Sequence, residues 1–245
     1  MTRNTLPKNP VFVALDTNDM PAASSLAAGL SAFVGGIKLG LEFFCAHGPE
    51  GVRQVNKQEL PLFLDLKLHD IPNTVAAAVR EVSWLEPYFL TVHTTGGAEM
   101  MKAATTAATE AASRNGLQRM HLLGVTALTS LTPAQCQAIY GRMPEEQVLF
   151  LAEEALNAGL NGLVASAVEA PALRAAFGSD ITLVTPGIRP TGSMVDDQSR
   201  VMTPEQALRA GADYLVIGRP ITQALSPVAE AKRIAADLRP RLRTA

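Results

Sequence analysis

The sequence predicts an α/β fold, a (β/α)8 (TIM) barrel filling a single domain over residues 1–245, and three observations carry that expectation. Short apolar, β-branched runs alternate with Ala/Leu-rich stretches of helical spacing, the pattern of parallel strands joined by crossover helices. The runs number eight, which suits a closed barrel. The chain has 245 residues, and single α/β barrels commonly run to ~250.

The eight runs are VFVAL (11–15), GGIKLG (35–40), LFLDLK (62–67), FLTVH (89–93), HLLGVTAL (121–128), GLVAS (162–166), ITLVTPGI (181–188) and YLVIGR (214–219). Between them lie candidate helices such as MPAASSLAAGL, TVAAAVREVSWL, EMMKAATTAATEAAS, PEEQVLFLAEEALNAG, AVEAPALRAAF, TPEQALRAG and PVAEAKRIAADL. One helix start is punctuated in full. Thr203-Pro204 with Gln206 has the form of an N-cap, a first-turn proline and a capping-box partner, and Gly211 follows as a stop. No low-complexity linker divides the chain.

Composition narrows the function classes. At 47% hydrophobic and 18% charged residues the chain can fill a sizeable core. A net charge of −2 with scattered Lys and Arg argues against nucleic acid as a partner. The first apolar run ends at Asp16, too short for a signal-peptide core or a membrane span. Cys45 and Cys136 stand in no metal-like spacing and form no disulfide framework, so a cytoplasmic setting is expected.

Barrels of this kind carry their chemistry at the C-terminal ends of the strands, so the polar residues closing each run are the candidates. They are Asp16, Lys38, Asp65 with Lys67, His93, Thr129, Ser166, Arg189 and Arg219. Asp65 and Lys67 are two apart in one strand, and period-2 geometry turns both toward the mouth. Asp70 follows three residues on, in the expected loop. An ammonium flanked by carboxylates is held in place as a proton donor, so Lys67 reads as a general acid. The plainer reading is a salt bridge plugging the barrel.

VTPGIRP (184–190) and IGRP (217–220) form the second signal. Loops after strands seven and eight are the recurrent phosphate site of such barrels, and Arg189, Gly218 and Arg219 fit a phosphate grip. Turn glycines beside solvated arginines are the alternative. His93 reads equally as a hydrogen-bonded core histidine, and Asp16 taken alone as a cap. No metal-ligand spacing, dinucleotide fingerprint, P-loop or nucleophile elbow occurs, so no cofactor and no metal are expected.

FLDLKLHDIPNTV (63–75) resembles the D-x-K-x-x-D-I-P-N-T signature of the orotidine 5′-monophosphate decarboxylase family. IKLGLEFF, VHTTGGAEMM, VTALTS, LVTPGIRPTGS, RVMTPEQAL and DYLVIGRPIT agree with bacterial members in order and spacing. The resemblance implies that Lys67 protonates C6 of the pyrimidine as carbon dioxide leaves, within a charged network of Asp65, Asp70 and Lys38. It further implies contacts of Asp16 and Lys38 with ribose, of Thr129 with the pyrimidine, and of Gln198, Arg189, Gly218 and Arg219 on the phosphate side. Asp70 and Thr74 are implied to reach the site of a second copy in a homodimer. One segment departs from the pattern, reading Asp196-Asp197-Gln198 where bacterial relatives often have Gly-Asp-Gln.

Two rival readings remain. A Mg2+-dependent phosphosugar decarboxylase or aldolase shares the D-x-K-x-x-D strand, but the Ile71-Pro72-Asn73-Thr74 continuation and Thr129 argue against it. A non-catalytic phosphate-binding barrel is opposed by the intact Asp65, Lys67 and Asp70.

Overall fold

The structure, a computed structural model, describes residues 7–190 and 202–238. Eight parallel strands close into a barrel in sequence order, β8 pairing with β1. They are β1 (Val11–Ala14), β2 (Gly36–Gly40), β3 (Leu62–Leu68), β4 (Phe89–His93), β5 (His121–Val125), β6 (Gly162–Val164), β7 (Thr182–Thr185) and β8 (Tyr214–Ile217). The helices are α1 (Met20–Leu30), α2 (Leu41–Val55), α3 (Pro72–Val82), α4 (Ala98–Asn115), α5 (Pro133–Tyr140), α6 (Pro144–Asn157), α7 (Ala170–Phe177), α8 (Pro204–Ala210), α9 (Arg219–Thr222) and α10 (Pro227–Leu238).

All eight expected strands are present, and the first, fifth, sixth, seventh and eighth stop short of their apolar runs. The capping box of Thr203 and Gln206 forms as expected, and Gly211 ends α8 with φ +112°. Three helices, α2, α5 and the four-residue α9, lie outside the stretches read from the sequence. In α2, Gly48 (φ +58°, ψ −164°) and Pro49 break the helical repeat that a pattern search needs. The short α5 buries only Cys136, so it has little apolar periodicity to detect.

Strand alternation sorts the core into two layers. Odd positions of β1 (Val11, Val13) and even positions of β3 (Leu62, Leu64, Leu66) face the helices in the larger cluster. Phe12, Phe63, Phe89 and Leu123 face inward with Tyr88, and Phe12 meets Phe63 edge to face at 6.0 Å. Each such buried ring contributes roughly 1.5–3 kcal/mol. Phe12 fits because Gly36 lies opposite, where a Cβ would come within 2.4 Å of its ring. The aromatic plug fills the N-terminal half of the barrel and leaves the C-terminal mouth to polar side chains.

Candidate active site

The inward register that places Phe63 in the plug places Asp65 and Lys67 above it, beside Lys38 of β2 and Thr91 of β4. Lys67 Nζ donates to Asp65 Oδ2 at 2.7 Å, and Lys38 Nζ stands 3.6 Å from the same oxygen. Lys38 Nζ also donates to Asp16 Oδ1 at 2.9 Å. Charge therefore alternates along Asp16, Lys38, Asp65 and Lys67. The inner pair is nearly buried, with side-chain exposures of 10% for Lys38 and 12% for Asp65, while Lys67 keeps 30% and faces the opening.

β3 is not a regular strand at this point. Leu64 pairs with Leu90 and Leu68 with Val92, so residues 65–67 stand opposite Thr91 alone. Lys67 takes φ +48° in that bulge, a left-handed backbone unfavourable for a long side chain. Asp65 and Lys67 share the mouth as expected, but through a bulge and not through a continuous period of two. The Lys67 amide donates to Thr91 Oγ1 at 2.9 Å, and Thr91 Oγ1 donates to Asp65 Oδ1 at 2.9 Å.

Burial by itself would raise the Asp65 carboxyl, but Lys38 and Lys67 nearby, with hydrogen bonds from Lys67 and Thr91, outweigh it and hold the acid below its ordinary value. A buried carboxylate of this kind is tolerated only because it is paired. Gly40 leaves room for the network, since a Cβ there would sit 3.2 Å from Lys38 Nζ and 3.6 Å from Asp16 Oδ1.

Lys38, Asp65, Lys67 and Thr129 line one cavity of about 190 Å³, walled by Phe63, Val125, Leu128, Val164, Pro186 and Val216. The lining combines apolar side chains with the charged Lys38, Asp65 and Lys67. A cavity of similar size around Trp84 lies near the N-terminal ends of the strands, away from the end where barrels carry chemistry. Gly218 sits beside Asp16, where a Cβ would lie 3.9 Å from Asp16 Oδ2, and Arg219 opens α9 directly after it. Arg189 follows β7, its amide donating to the Met202 carbonyl at 3.0 Å. Gln198 lies outside the described residues.

Asp70 is not brought to Lys67 within the chain. Among the described residues the ammonium pairs with Asp65, while the Asp70 carboxylate is exposed and accepts from the Ile71 amide at 2.6 Å. Thr74, in the first turn of α3, is exposed as well. Ser166 ends buried, its amide bonded to Glu169 Oε2, which makes it part of a turn before α7. His93 is half-buried, its ring 5.5 Å from that of His69 and its Nδ1 buried without a hydrogen-bond partner among the described residues. Burial first, then the positive neighbours His69 and Lys67, push the His93 imidazole below its usual value, against a smaller opposing pull from Asp65.

Sequence reasoning overlooked Thr91 and Gly40. Both share the inward parity of residues it did select, Thr91 with His93 and Gly40 with Lys38, and parity was the signal available. Among the described residues no group of three or more His, Cys, Asp or Glu is placed to hold a metal ion, and no helix is long and apolar enough to cross a membrane.

Comparison with known proteins gives one answer. Residues 9–234 match the family described as orotidine 5′-phosphate decarboxylase / HUMPS. A curated orotidine 5′-phosphate decarboxylase of Paramagnetospirillum magneticum is 48% identical over 231 residues, covering 94% of this chain and 98% of the relative. That of Rhodospirillum rubrum is 50% identical over 234 residues, covering 94% of each. The crystal structure of orotidine 5′-phosphate decarboxylase from Lactobacillus acidophilus superposes with a TM-score of 0.77 at 34% identity, over 94% of this chain and 99% of that one.

Proposed function

The chain belongs to the orotidine 5′-phosphate decarboxylase / HUMPS family, from which we infer that it decarboxylates orotidine 5′-monophosphate to uridine 5′-monophosphate, the last step of de novo pyrimidine synthesis. The observation that carries the reading is the Asp16–Lys38–Asp65–Lys67 chain of alternating charge, with Lys67 at the open end of an apolar-walled cavity.

The chemistry needs such an array. Loss of carbon dioxide leaves an electron pair on an sp2 carbon, C6, that ring resonance does not absorb, so stabilisation must come from a positive charge already in place. Lys67 supplies that charge and then its proton to C6, and the new C–H bond takes up the electron pair. Asp65 anchors the ammonium from behind and Lys38 balances Asp65. Asp16 and Lys38 bind the ribose, and Thr129 the pyrimidine edge. Arg189, Gly218 and Arg219, together with Gln198, take the phosphate, in keeping with the position of Arg189 after β7 and of Gly218 and Arg219 after β8. No cofactor has a step in this reading.

The reading includes a homodimer in which Asp70 and Thr74 complete the site of the partner. Their exposure, next to an Ile71 side chain that is itself exposed, supports it. It also includes a cytoplasmic setting, in keeping with the absence of a disulfide at Cys45 and Cys136. The test is the loss of orotidine 5′-monophosphate absorbance with purified protein in EDTA. Turnover that survives the chelator is expected. Turnover appearing only with added Mg2+ would favour the phosphosugar type of enzyme, and none under either condition would favour a silent phosphate-binding barrel.

A further inference from the structure

We propose that Thr91 is the positioning residue that sets the geometry of Asp65 and Lys67, an inference that rests on the decarboxylase reading above. Thr91 is fully buried on β4, opposite the bulge of β3. A threonine hydroxyl has one hydrogen to give and lone pairs to accept with. Here the accepting side takes the Lys67 amide at 2.9 Å, and the hydrogen goes to Asp65 Oδ1 at 2.9 Å. An amide only donates and a carboxylate only accepts, so the direction of both bonds is fixed.

Two consequences follow for the reacting groups. The two oxygens of Asp65 are divided, Oδ1 held by Thr91 and Oδ2 turned to Lys67 Nζ at 2.7 Å and Lys38 Nζ at 3.6 Å. The backbone from which the Lys67 side chain springs is held at φ +48°, a conformation that persists in a non-glycine residue only where its surroundings enforce it. One hydroxyl thus restrains both the anchor of the ammonium and the root of its side chain. Valine has the shape of threonine without the hydroxyl. It would leave a buried amide and a buried carboxylate oxygen each short of a partner, and both would relax.

The titratable groups facing Asp65 are Lys38 from β2, Lys67 on its own strand and His93 from β4, with Asp16 reached through Lys38. All of these groups remain in the chain when Thr91 is changed, so a shift in the acid limb of the kcat profile that Thr91→Val shows and Thr91→Ser does not reports on the lost donor.

The experiment measures kcat, KM and the pH profile of kcat for orotidine 5′-monophosphate with the full chain, its Thr91→Val variant, and Thr91→Ser and Thr91→Cys. Ångström-scale misplacement of a reacting group costs on the order of 10²-fold, so Thr91→Val should lower kcat about 10- to 100-fold with KM changed by less than about threefold. Its acid limb should move to higher pH, because Asp65 has lost a donor to its charged form. Thr91→Ser, which restores the hydroxyl, should recover most of kcat. Thr91→Cys, with a weak donor, should behave as the valine variant does. If Thr91→Val does not fold, the contrast between serine and cysteine decides the matter alone. A valine variant within about twofold of the unaltered kcat, or serine and cysteine variants that match, would overturn the inference while the decarboxylase reading stands. An unaltered chain without turnover overturns that reading, and this inference with it.

Discussion

Residues 63–68 and 69–74 are consecutive in the chain and occupy opposite environments. In the first segment Phe63 seals the barrel floor, Asp65 is buried between two lysines, and even the Lys67 amide is bonded to a buried side chain. In the second, His69, Asp70, Ile71, Pro72, Asn73 and Thr74 are all exposed, Ile71 to 66%. An isoleucine so placed beside an acid with no cationic partner among the described residues marks a surface offered outward. A single run of sequence therefore encodes two environments with different needs. The buried part must satisfy every charge within its own barrel, because an uncompensated interior charge is destabilising. The exposed part is under no such constraint.

Removing the buried part should have the largest effect. Under the proposed mechanism Lys67→Ala deletes the proton donor and the positive charge together, terms that contribute about 10²–10⁴ and 10²–10³ respectively in enzymes of many kinds. A fall in kcat/KM of at least about 10⁴-fold is expected, read by absorbance at high protein concentration. A loss under tenfold would remove the chemistry from this segment.

The exposed part should respond differently. Asp70→Ala is expected to lower kcat/KM by on the order of 10²-fold, as loss of one preorganised charged group does, and to leave the thermal midpoint where it was, since the side chain is exposed and, among the described residues, accepts only from its own neighbour's amide. Under the homodimer reading, unfolding and re-associating Asp70→Ala chains with Lys67→Ala chains gives half heterodimers, each with one intact site. About a quarter of the unaltered activity should return, a consequence of two-fold symmetry. Verified heterodimers with no activity would place Asp70 in its own barrel's site.

The fold was legible because each strand announces itself by local composition and each crossover by helical spacing, and eight repeats leave little freedom of topology. The helix across residues 41–55 was hidden by Gly48 and Pro49, whose break in the repeat the surrounding packing tolerates. At the site, position at the strand ends led to Asp16, Lys38, Asp65 and Lys67, which do meet. It did not reveal how they meet. The bulge at Lys67 depends on register with β4, a long-range property absent from any window of the sequence, and so does the partnership with Thr91. Asp70 is close to Lys67 in sequence but turned away in space, since the chain leaves the sheet at Leu68 before α3 begins at Pro72.

The smallest effect expected lies at the seam between the two segments, where exposed His69 and half-buried His93 have ring centroids 5.5 Å apart. Burial and then His69 hold the folded His93 imidazole below its usual value. The unfolded chain consequently binds more protons than the folded one between the ordinary histidine range, about pH 6.5, and the lower folded value. Stability should fall as pH falls through that window. Because the ring is half exposed and screened, His93 accounts for only about a few tenths of a kcal/mol. His93→Gln, followed by urea unfolding across pH 5 to 7.5, should reduce the slope without abolishing it, because His121 at the opposite end of the barrel is pushed the same way by burial and Arg119. His69→Gln should reduce the slope less than His93→Gln, since it removes one neighbour of His93 and leaves its burial intact. Equal slopes in all three proteins would show that the exposed segment is not felt in the interior at all, and the division drawn at Leu68 would then be complete.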